Sequence, residues 1–527
     1  MDKIKEYIES GKASLGIELG SSRIKAVLIG EDYNPIADGG FAWENSLIDG
    51  IWTYSIEEVW KGVAECYKEL KNNVMDKYGV KLTKFNAIGF SAMMHGYLAF
   101  DKNGKLLTPF RTWRNNITEK ASEELSELFD YPIPQRWSIA HLYQSILNNE
   151  QHVKDLDFFT TLSGYVHWKL TGKKVIGVGD ASGMFPISAD TQNFNTIMLK
   201  KFNKAVEDNG YNWKLENLLP EVLVAGKEAG KLTEEGAILL DPSGDLSAGI
   251  PFCPPEGDAG TGMVATNSVK KRTGNVSAGT SVFAMIVLEN ELTKRHSELD
   301  LVTTPDGSAV AMAHSNNCTG EYDKWVTLFK EVADASGAKV SKSDLFGILF
   351  NKALNASPDC GGLLCYGYLS GEHITGFAEG RPMVVRRPEA ELTLGNFMRA
   401  QLFTALCAMR TGLNVLFDDE KVEVDVINGH GGFFKTPEVS GPIMAAAVNT
   451  KVNILETAGE GGAWGMALLA GYLGNKKELS EYLDTEVFKN SSTVSFKPQK
   501  KDLEGFDQFF TRYTKGLPIE RAAVENI

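Results

Sequence analysis

Leu15-Gly-Ile-Glu-Leu-Gly-Ser-Ser-Arg-Ile-Lys-Ala-Val-Leu28 and Gly274-Asn-Val-Ser-Ala-Gly-Thr-Ser-Val-Phe-Ala-Met-Ile-Val287 are two versions of one device, in opposite halves of a 527-residue chain. Each predicts a strand, a tight glycine turn and a returning strand. Glycine lets the backbone turn sharply, and the Ser or Thr residues that follow set hydroxyls beside exposed amide N–H groups. Such a turn suits an anionic oxygen, and a phosphate is its natural guest. One such hairpin is ordinary punctuation, whereas two, each opening its own half, predict a pair of related domains. Between them stands Pro254-Pro-Glu-Gly-Asp-Ala-Gly-Thr-Gly262, an acid in a glycine-dense loop about one strand ahead of the second hairpin.

The bulk composition fits that picture. A chain of this length exceeds one core and predicts two large domains. It has 43% hydrophobic and 23% charged residues, as ordinary globular proteins do. With 54 Lys and Arg against 68 Asp and Glu, the net charge of −14 argues against a broad nucleic-acid surface. A bound phosphate must then be held by amides, a metal and a few cations. No apolar run approaches the roughly 18 residues of a membrane span, and the first dozen residues are too charged for a signal-peptide core, so a cytoplasmic protein with no membrane partner is expected. The cysteines Cys66, Cys253, Cys318, Cys360, Cys365 and Cys407 form no Cys-x-x-Cys pair, which predicts buried, reduced thiols rather than a zinc site or disulfide framework.

After the first hairpin, Ser55 and Glu58 make a capping box, and Ile56, Val59, Val63, Cys66, Tyr67, Leu70 and Val74 keep helical spacing up to Gly79. Next, Ala87-Ile-Gly-Phe-Ser91 reads as a short buried strand whose end delivers Met93-Met-His-Gly96 to the sheet edge where α/β proteins bind ligands. The segment 117–151 is helix-rich, and Asp180-Ala-Ser-Gly183 reads as a polar turn opening an irregular stretch. In the second half Thr393 precedes a helix through Phe397, Gln401, Ala405 and Met409. A strand alternating at Val422, Val424 and Val426 then empties into Asn428-Gly-His-Gly-Gly432. Gly459-Glu-Gly-Gly-Ala-Trp-Gly465, ahead of an apolar helix at 466–473, imitates a dinucleotide fingerprint weakly; close helix packing explains its glycines better. No Gly-x-x-x-x-Gly-Lys-Ser/Thr string occurs, which excludes a P-loop kinase.

From Leu15 to about Leu473 the chain resembles the FGGY family of carbohydrate kinases, with the family's landmarks in order. Gly16-Ile-Glu-Leu-Gly20 looks like its opening phosphate hairpin, and Ile88 to Gly96 is similar to the sugar-contacting strand end of the xylulokinase branch. Gly257-Asp258 matches the catalytic-base loop, Ala278-Gly-Thr-Ser281 the ATP phosphate turn, and Gly320 with Trp325 the helix start near the nucleotide. Leu369-Ser-Gly-Glu372 resembles another family string, and Gly429-His-Gly-Gly432 the glycine loop against adenosine. The resemblance implies a duplicated actin-like (ribonuclease H-like) α/β ATPase fold of two domains around a deep cleft. The domains would be 14–258, holding the sugar, and 259–527, holding ATP.

It also implies the reaction: the γ-phosphoryl of ATP passes to a terminal hydroxyl of a ketopentose, xylulose first, with ribulose, fuculose or another polyol as alternatives. A non-catalytic sugar- or nucleotide-responsive protein of the same fold is the competing class. Phosphoryl transfer asks for positioning and charge neutralisation, and Asp258 is the candidate base for the hydroxyl proton. Mg²⁺ would keep most of its water and lie near Glu18, a longer acid where the family usually has Asp. Gly20, Ser21, Ser22, Gly279, Thr280, Ser281, Gly320, Gly431 and Gly432 would hold ATP, and Met94, His95, Trp113, Arg114 and Asp258 the sugar. Trp113-Arg-Asn-Asn116 falls where the family commonly has Trp-x-Asp, a departure that bears on substrate identity rather than on reaction type. The resemblance also allows a homodimer.

Overall fold

The computed structural model describes residues 2–527. Both hairpins form. In the first, β1 (Ser14–Leu19) and β2 (Arg23–Ile29) pair antiparallel from Ser14↔Ile29 to Leu19↔Ile24, and β3 (Pro35–Ala42) follows antiparallel to β2. Helix α1 (Ile56–Tyr78) begins at a complete capping box of Ser55 and Glu58 and ends at Gly79 in left-handed geometry. Its residues Val59, Val63, Cys66, Tyr67, Leu70 and Val74 are buried with Ile17, Leu19, Ile24, Ala26 and Leu28 of the hairpin in one core. Burying each large aliphatic side chain contributes about 1.5–3 kcal/mol, so the 3.6-residue stripe read from the sequence is what docks this helix. Strand β4 (Ile88–Ala92) runs parallel to β1, and the two-residue β5 (Glu256–Gly257) parallel to β4, giving the sheet order β5-β4-β1-β2-β3. Helix α2 (Asp258–Ala265) starts as β5 ends.

The second module repeats the first. Strands β6 (Thr273–Ala278) and β7 (Val282–Val287) pair antiparallel from Gly274↔Ile286 to Ala278↔Val282. Helices α3 (Thr319–Ala335) and α4 (Leu394–Asn414) follow, α4 capped by the Thr393 side chain. Strand β8 (Val426–His430) runs parallel to β6, and β9 (Val452–Leu455) parallel to β8, with β10 (Thr493–Phe496) antiparallel beyond it. The sheet therefore contains the run β7-β6-β8-β9-β10. A hairpin flanked by two successive parallel strands occurs in both modules, and this shared topology is the duplication.

Two sequence expectations shift here. The alternation at Val422 and Val424 lies ahead of β8: the Val422 N–H turns back to the Leu416 carbonyl, and the Glu423 and Asp425 carboxylates pair with the Arg272 guanidinium. Helix α5 (Gly461–Tyr472) starts earlier than the apolar run, so the glycines of 459–465 fall largely within it. They permit contact, as the packing reading held: a Cβ on Gly465 would stand 2.1 Å from the Thr261 carbonyl oxygen, and one on Gly16 of β1 would stand 2.2 Å from the Ala467 nitrogen.

The chain forms two compact units that interleave where the sequence reading expects contiguous halves meeting at 258/259. The first is the stretch ending at Val269 with Leu301–Val310 and Glu460–Asn490; the second is Lys270–Asp300, Ala311–Gly459 and Ser491–Ile527. Helix α5 joins the first unit because its small-residue face seats on β1 and α2. All six cysteines are free and buried, and among the described residues no helix is long and apolar enough to cross a membrane.

Candidate functional site

In the first unit, β5 brings Asp258 to the end of β4. Gly257 pairs with Ala92, so the turn after β4 and the first residue of α2 meet. A side chain at 257 is excluded: its Cβ would lie 2.1 Å from Met94 Cγ and 3.3 Å from Asp180 Oδ1. Asp258 Oδ1 accepts the Met94 N–H at 3.1 Å and the Ala259 N–H at 3.0 Å, which fixes the carboxyl while the residue keeps solvent access. Surrounding protein mass desolvates the carboxyl and raises its pKa, and the two amides offset part of that rise.

Glu18 lies on β1 opposite Ser91 of β4 and is half-buried. Burial, then the Asp258 charge, raises its pKa to about 7, against the opposing pull of Lys25 and the Ala463 amide. Gly462 makes room for it, since a Cβ there would stand 2.2 Å from Glu18 Oε1 and 2.8 Å from the Thr261 hydroxyl. Two carboxylates that repel one another form a hard-oxygen donor set, and among the described residues no cage of three acidic, His or Cys side chains adds to it. That chemistry fits a largely hydrated Mg²⁺.

Met94 and His95 sit in the same corner, both buried. His95 holds φ +70°, and its Nδ1 lies 3.3 Å from the Gly183 carbonyl, with its ring stacked on Trp137. Burial, with the Arg136 charge, pushes its pKa well below the usual histidine value, so the imidazole is neutral. A carbonyl partner at Nδ1 requires the proton there, leaving Nε2 as an acceptor.

Sequence reading missed two residues behind this corner. The Asp180 stretch is no open polar turn: it is a buried helical turn, Val178–Ala181, with Asp180 only 1% exposed. Glu256, equally buried, directs its carboxyl at that turn. The available signal was a second acid just before Gly257-Asp258, and a glycine on either side of Val178.

The first glycine turn is walled by aromatics. Trp43 Nε1 donates to the Gly20 carbonyl at 2.7 Å, the Tyr54 hydroxyl to the Ser21 carbonyl at 2.6 Å, and Trp113 Nε1 to the Ser21 hydroxyl at 3.1 Å. Trp113 and Arg114 thus bond to this turn and its surroundings, with no hydrogen bond from either to Met94, His95 or Asp258 among the described residues. Arg114 donates to Asn45 Oδ1 at 2.9 Å and lies 4.0 Å above the Trp52 ring. Asn115 is buried and spends its amide on the Trp52 and Thr112 backbone.

In the second unit, Gly279, Thr280 and Ser281 turn between β6 and β7. The Cys318 N–H donates to the Thr280 carbonyl at 2.9 Å and the Thr319 N–H to the Gly279 carbonyl at 3.0 Å, so the start of α3 braces the turn. Gly320 stands in that first helical turn, where a Cβ would meet Leu369 Cδ1 at 2.9 Å. Gly431 adopts φ 101° and ψ −179°, a region closed to L side chains, and a Cβ there would lie 2.5 Å from the Ala278 carbonyl oxygen. Gly279 and Gly432 face open space. Backbone contacts thus bring Gly279, Thr280 and Ser281 against the start of α3, which carries Gly320, and bring Gly431 against Ala278 at the end of β6; glycine turns with neighbouring hydroxyls suit an anionic oxygen. The Leu369–Glu372 string lies beside Gly320 and is held from the end of the strand that precedes α3: Glu372 accepts from Ser315 and from the Asn317 backbone and side chain, and Asn317 Oδ1 accepts the Leu369 and Ser370 amides.

Models of the FGGY family of carbohydrate kinases match twice, the N-terminal domain over residues 13–264 and the C-terminal domain over 274–474. The chain belongs to that family. Among its relatives, a xylulose kinase from Staphylococcus xylosus is 20% identical over 231 residues, 42% of this chain and 44% of that enzyme. A gluconokinase from Bacillus licheniformis is 23% identical over 376 residues, 68% of either chain. A crystal structure of a xyloylose kinase from Brucella ovis superposes with a TM-score of 0.78 at 19% identity, covering 96% of this chain and 99% of that one. At that identity the likeness shows the fold, which is the duplicated actin-like α/β fold of the FGGY sugar kinases.

Proposed function

We propose that this FGGY protein is an ATP-dependent kinase of a ketopentose, xylulose-like in its acceptor end, acting in the cytoplasm. The observation that carries the reading is Asp258, a carboxylate pinned by the Met94 and Ala259 amides, open to solvent and with its pKa raised, beside Met94 and His95. In this reading the terminal hydroxyl of the sugar gives its proton to Asp258 as its oxygen forms the bond to the γ-phosphorus. The bond from that phosphorus to the β,γ-bridging oxygen breaks, and ADP leaves. A raised carboxyl pKa brings the base closer to working pH and strengthens it as an acceptor. His95 Nε2 accepts a second sugar hydroxyl, and Met94 lines the apolar edge of the carbon chain. Thr280, Ser281 and the amides around them hold the ATP phosphates, Gly431 and Gly432 the adenosine side, and Gly20 to Ser22 the phosphoryl end. Bound beside Glu18, Mg²⁺ would neutralise charge on those phosphates.

The departures at Trp113–Asn116 and the gluconokinase relative make the acceptor the variable part. Measuring ADP release with ATP, Mg²⁺ and a panel of xylulose, ribulose, fuculose and gluconate tests the reading. A ketopentose should give the highest kcat/KM. Preference for gluconate would replace the acceptor, and ATP binding with no sugar-stimulated turnover would replace the enzyme with a ligand-responsive protein.

A further inference from the structure

The two acids behind the base have a cost that packing alone does not require. Asp180 and Glu256 are each about 1% exposed, and among the described residues neither is bonded to a basic side chain. Burial pushes both carboxyl pKa values up, that of Asp180 to about 7. Apolar residues of similar size would fill the space at less expense, so the arrangement of these carboxyls needs another reason.

Their bonds run as a chain from β5 through the turn to Thr161 and Ser163. Glu256 Oε2 accepts the Asp180 N–H at 3.0 Å, and Oε1 the Gly179 N–H at 3.4 Å. The fit excludes side chains, since a Cβ on Gly177 or Gly179 would stand 2.2 or 2.3 Å from the Glu256 carboxyl. Asp180 Oδ2 in turn accepts the Thr161 hydroxyl at 2.6 Å and the Ser163 hydroxyl. Its Oδ1 has no partner and faces the missing side chain of Gly257, the residue before the base. From the same turn, the Gly183 carbonyl faces His95 Nδ1, and a Cβ on Gly183 would lie 2.9 Å from the Met94 methyl. Thr303 pins the far side, with its N–H on the Ser182 hydroxyl and its own hydroxyl on the Val178 carbonyl. One short turn, 178–183, therefore touches both the residues assigned to the sugar and the strand that carries the base.

We propose that Asp180 and Glu256 are positioning residues: through the 178–183 turn they tie the seat of Met94 and His95 to β5, so that sugar contact and base alignment are set by one rigid piece. The catalytic part rests on the kinase reading above. Hydrogen bonds to charged or neutral carboxyls give the turn direction as well as attachment, which apolar packing would not. Misalignment of a reacting group by about 1 Å can cost about 10²-fold in rate.

The test compares Asp180→Asn, Glu256→Gln, Thr161→Val and Thr161→Ser in the full chain, reading kcat, KM, melting temperature and amide hydrogen exchange. Asp180→Asn and Glu256→Gln should lower kcat by about 10- to 100-fold and leave KM for sugar and ATP within about twofold. They should also speed exchange in the peptides spanning 92–96 and 256–260 relative to the rest of the unit. Thr161→Val should show a weaker form of the same pattern, and Thr161→Ser, which keeps the hydroxyl, should restore wild-type values. Unchanged kcat, or a loss that follows melting temperature with exchange rising uniformly, overturns the proposal. Exchange needs no turnover. A wild type that phosphorylates no sugar defeats the kinase reading, while exchange in these variants still decides for or against the clamp.

Discussion

At Gly20–Ser22 two indoles and a phenol bond the turn, whereas at Gly279–Ser281 the outside support comes from two backbone amides at the start of α3. The hairpins share their antiparallel pairing but not their loop length, four residues between Leu19 and Ile24 against three between Ala278 and Val282, and each has two parallel strands beside it. The second strand of each set leads to a helix: α2, opening with Asp258, in one module, and α5, glycine-rich at its start, after the other. The difference teaches how one scaffold serves two chemistries. The first module concentrates carboxyls, namely Glu18, Asp180, Glu256 and Asp258, and walls its turn with rings. The second presents bare backbone and hydroxyls, as an anion with many oxygens requires.

The largest effect should come from the acid that most separates the modules. Asp258→Asn keeps shape and removes the base, so kcat should fall by about 10²–10⁴-fold with ATP and sugar affinity nearly unchanged in calorimetry. Near wild-type turnover would place the base elsewhere. Gly279→Val probes the opposite module, filling the open space over the second turn. ATP binding should weaken by at least about tenfold, or about 1.4 kcal/mol, with sugar binding intact; equal weakening of both ligands would point to a folding defect.

A pH series sharpens the contrast in stability. In the unfolded chain Asp180 and Glu18 titrate near 3.8 and 4.5, and in the fold both are raised to about 7. The folded protein thus holds protons the unfolded chain has released, so this contribution is fully present below about pH 4 and is lost as pH rises through about 7. Wild-type stability relative to the Glu18→Gln/Asp180→Asn double variant should decline over that window in denaturant titrations, and parallel curves would refute the assignment. The smallest effect belongs to the rim. Trp113→Phe removes one bond to Ser21, worth about 0.5–1.5 kcal/mol, and should change kinetics only a few-fold. Arg114→Ala should leave the ranking of sugars unchanged, because the guanidinium is engaged with Asn45 and Trp52. A reordered ranking would put Arg114 at the substrate.

What the sequence determined by itself was local. Ser55 and Glu58 fix a helix start, the apolar series to Val74 fixes the face α1 buries, and the Gly-Ser and Gly-Thr turns fix two hairpins, because caps, turns and periodic burial are written within a few residues. The glycines of 459–465 were legible as close packing for the same reason, although not their partners, Glu18 and Thr261. Only the tertiary structure decided the rest. Nothing adjacent to Asp180 marks it as buried; its burial follows from Thr161, Ser163 and Glu256, which arrive from other parts of the chain. Val422 and Val424 alternate as a strand would, yet the Val422 N–H turns back to the Leu416 carbonyl and β8 begins only at Val426. Helix α5 falls between β9 and β10 of the second module in sequence and joins the first unit in space, since its small residues fit β1 and α2. Local propensity selects an element, but which surface that element buries is settled by the long-range partner whose shape and polarity it satisfies.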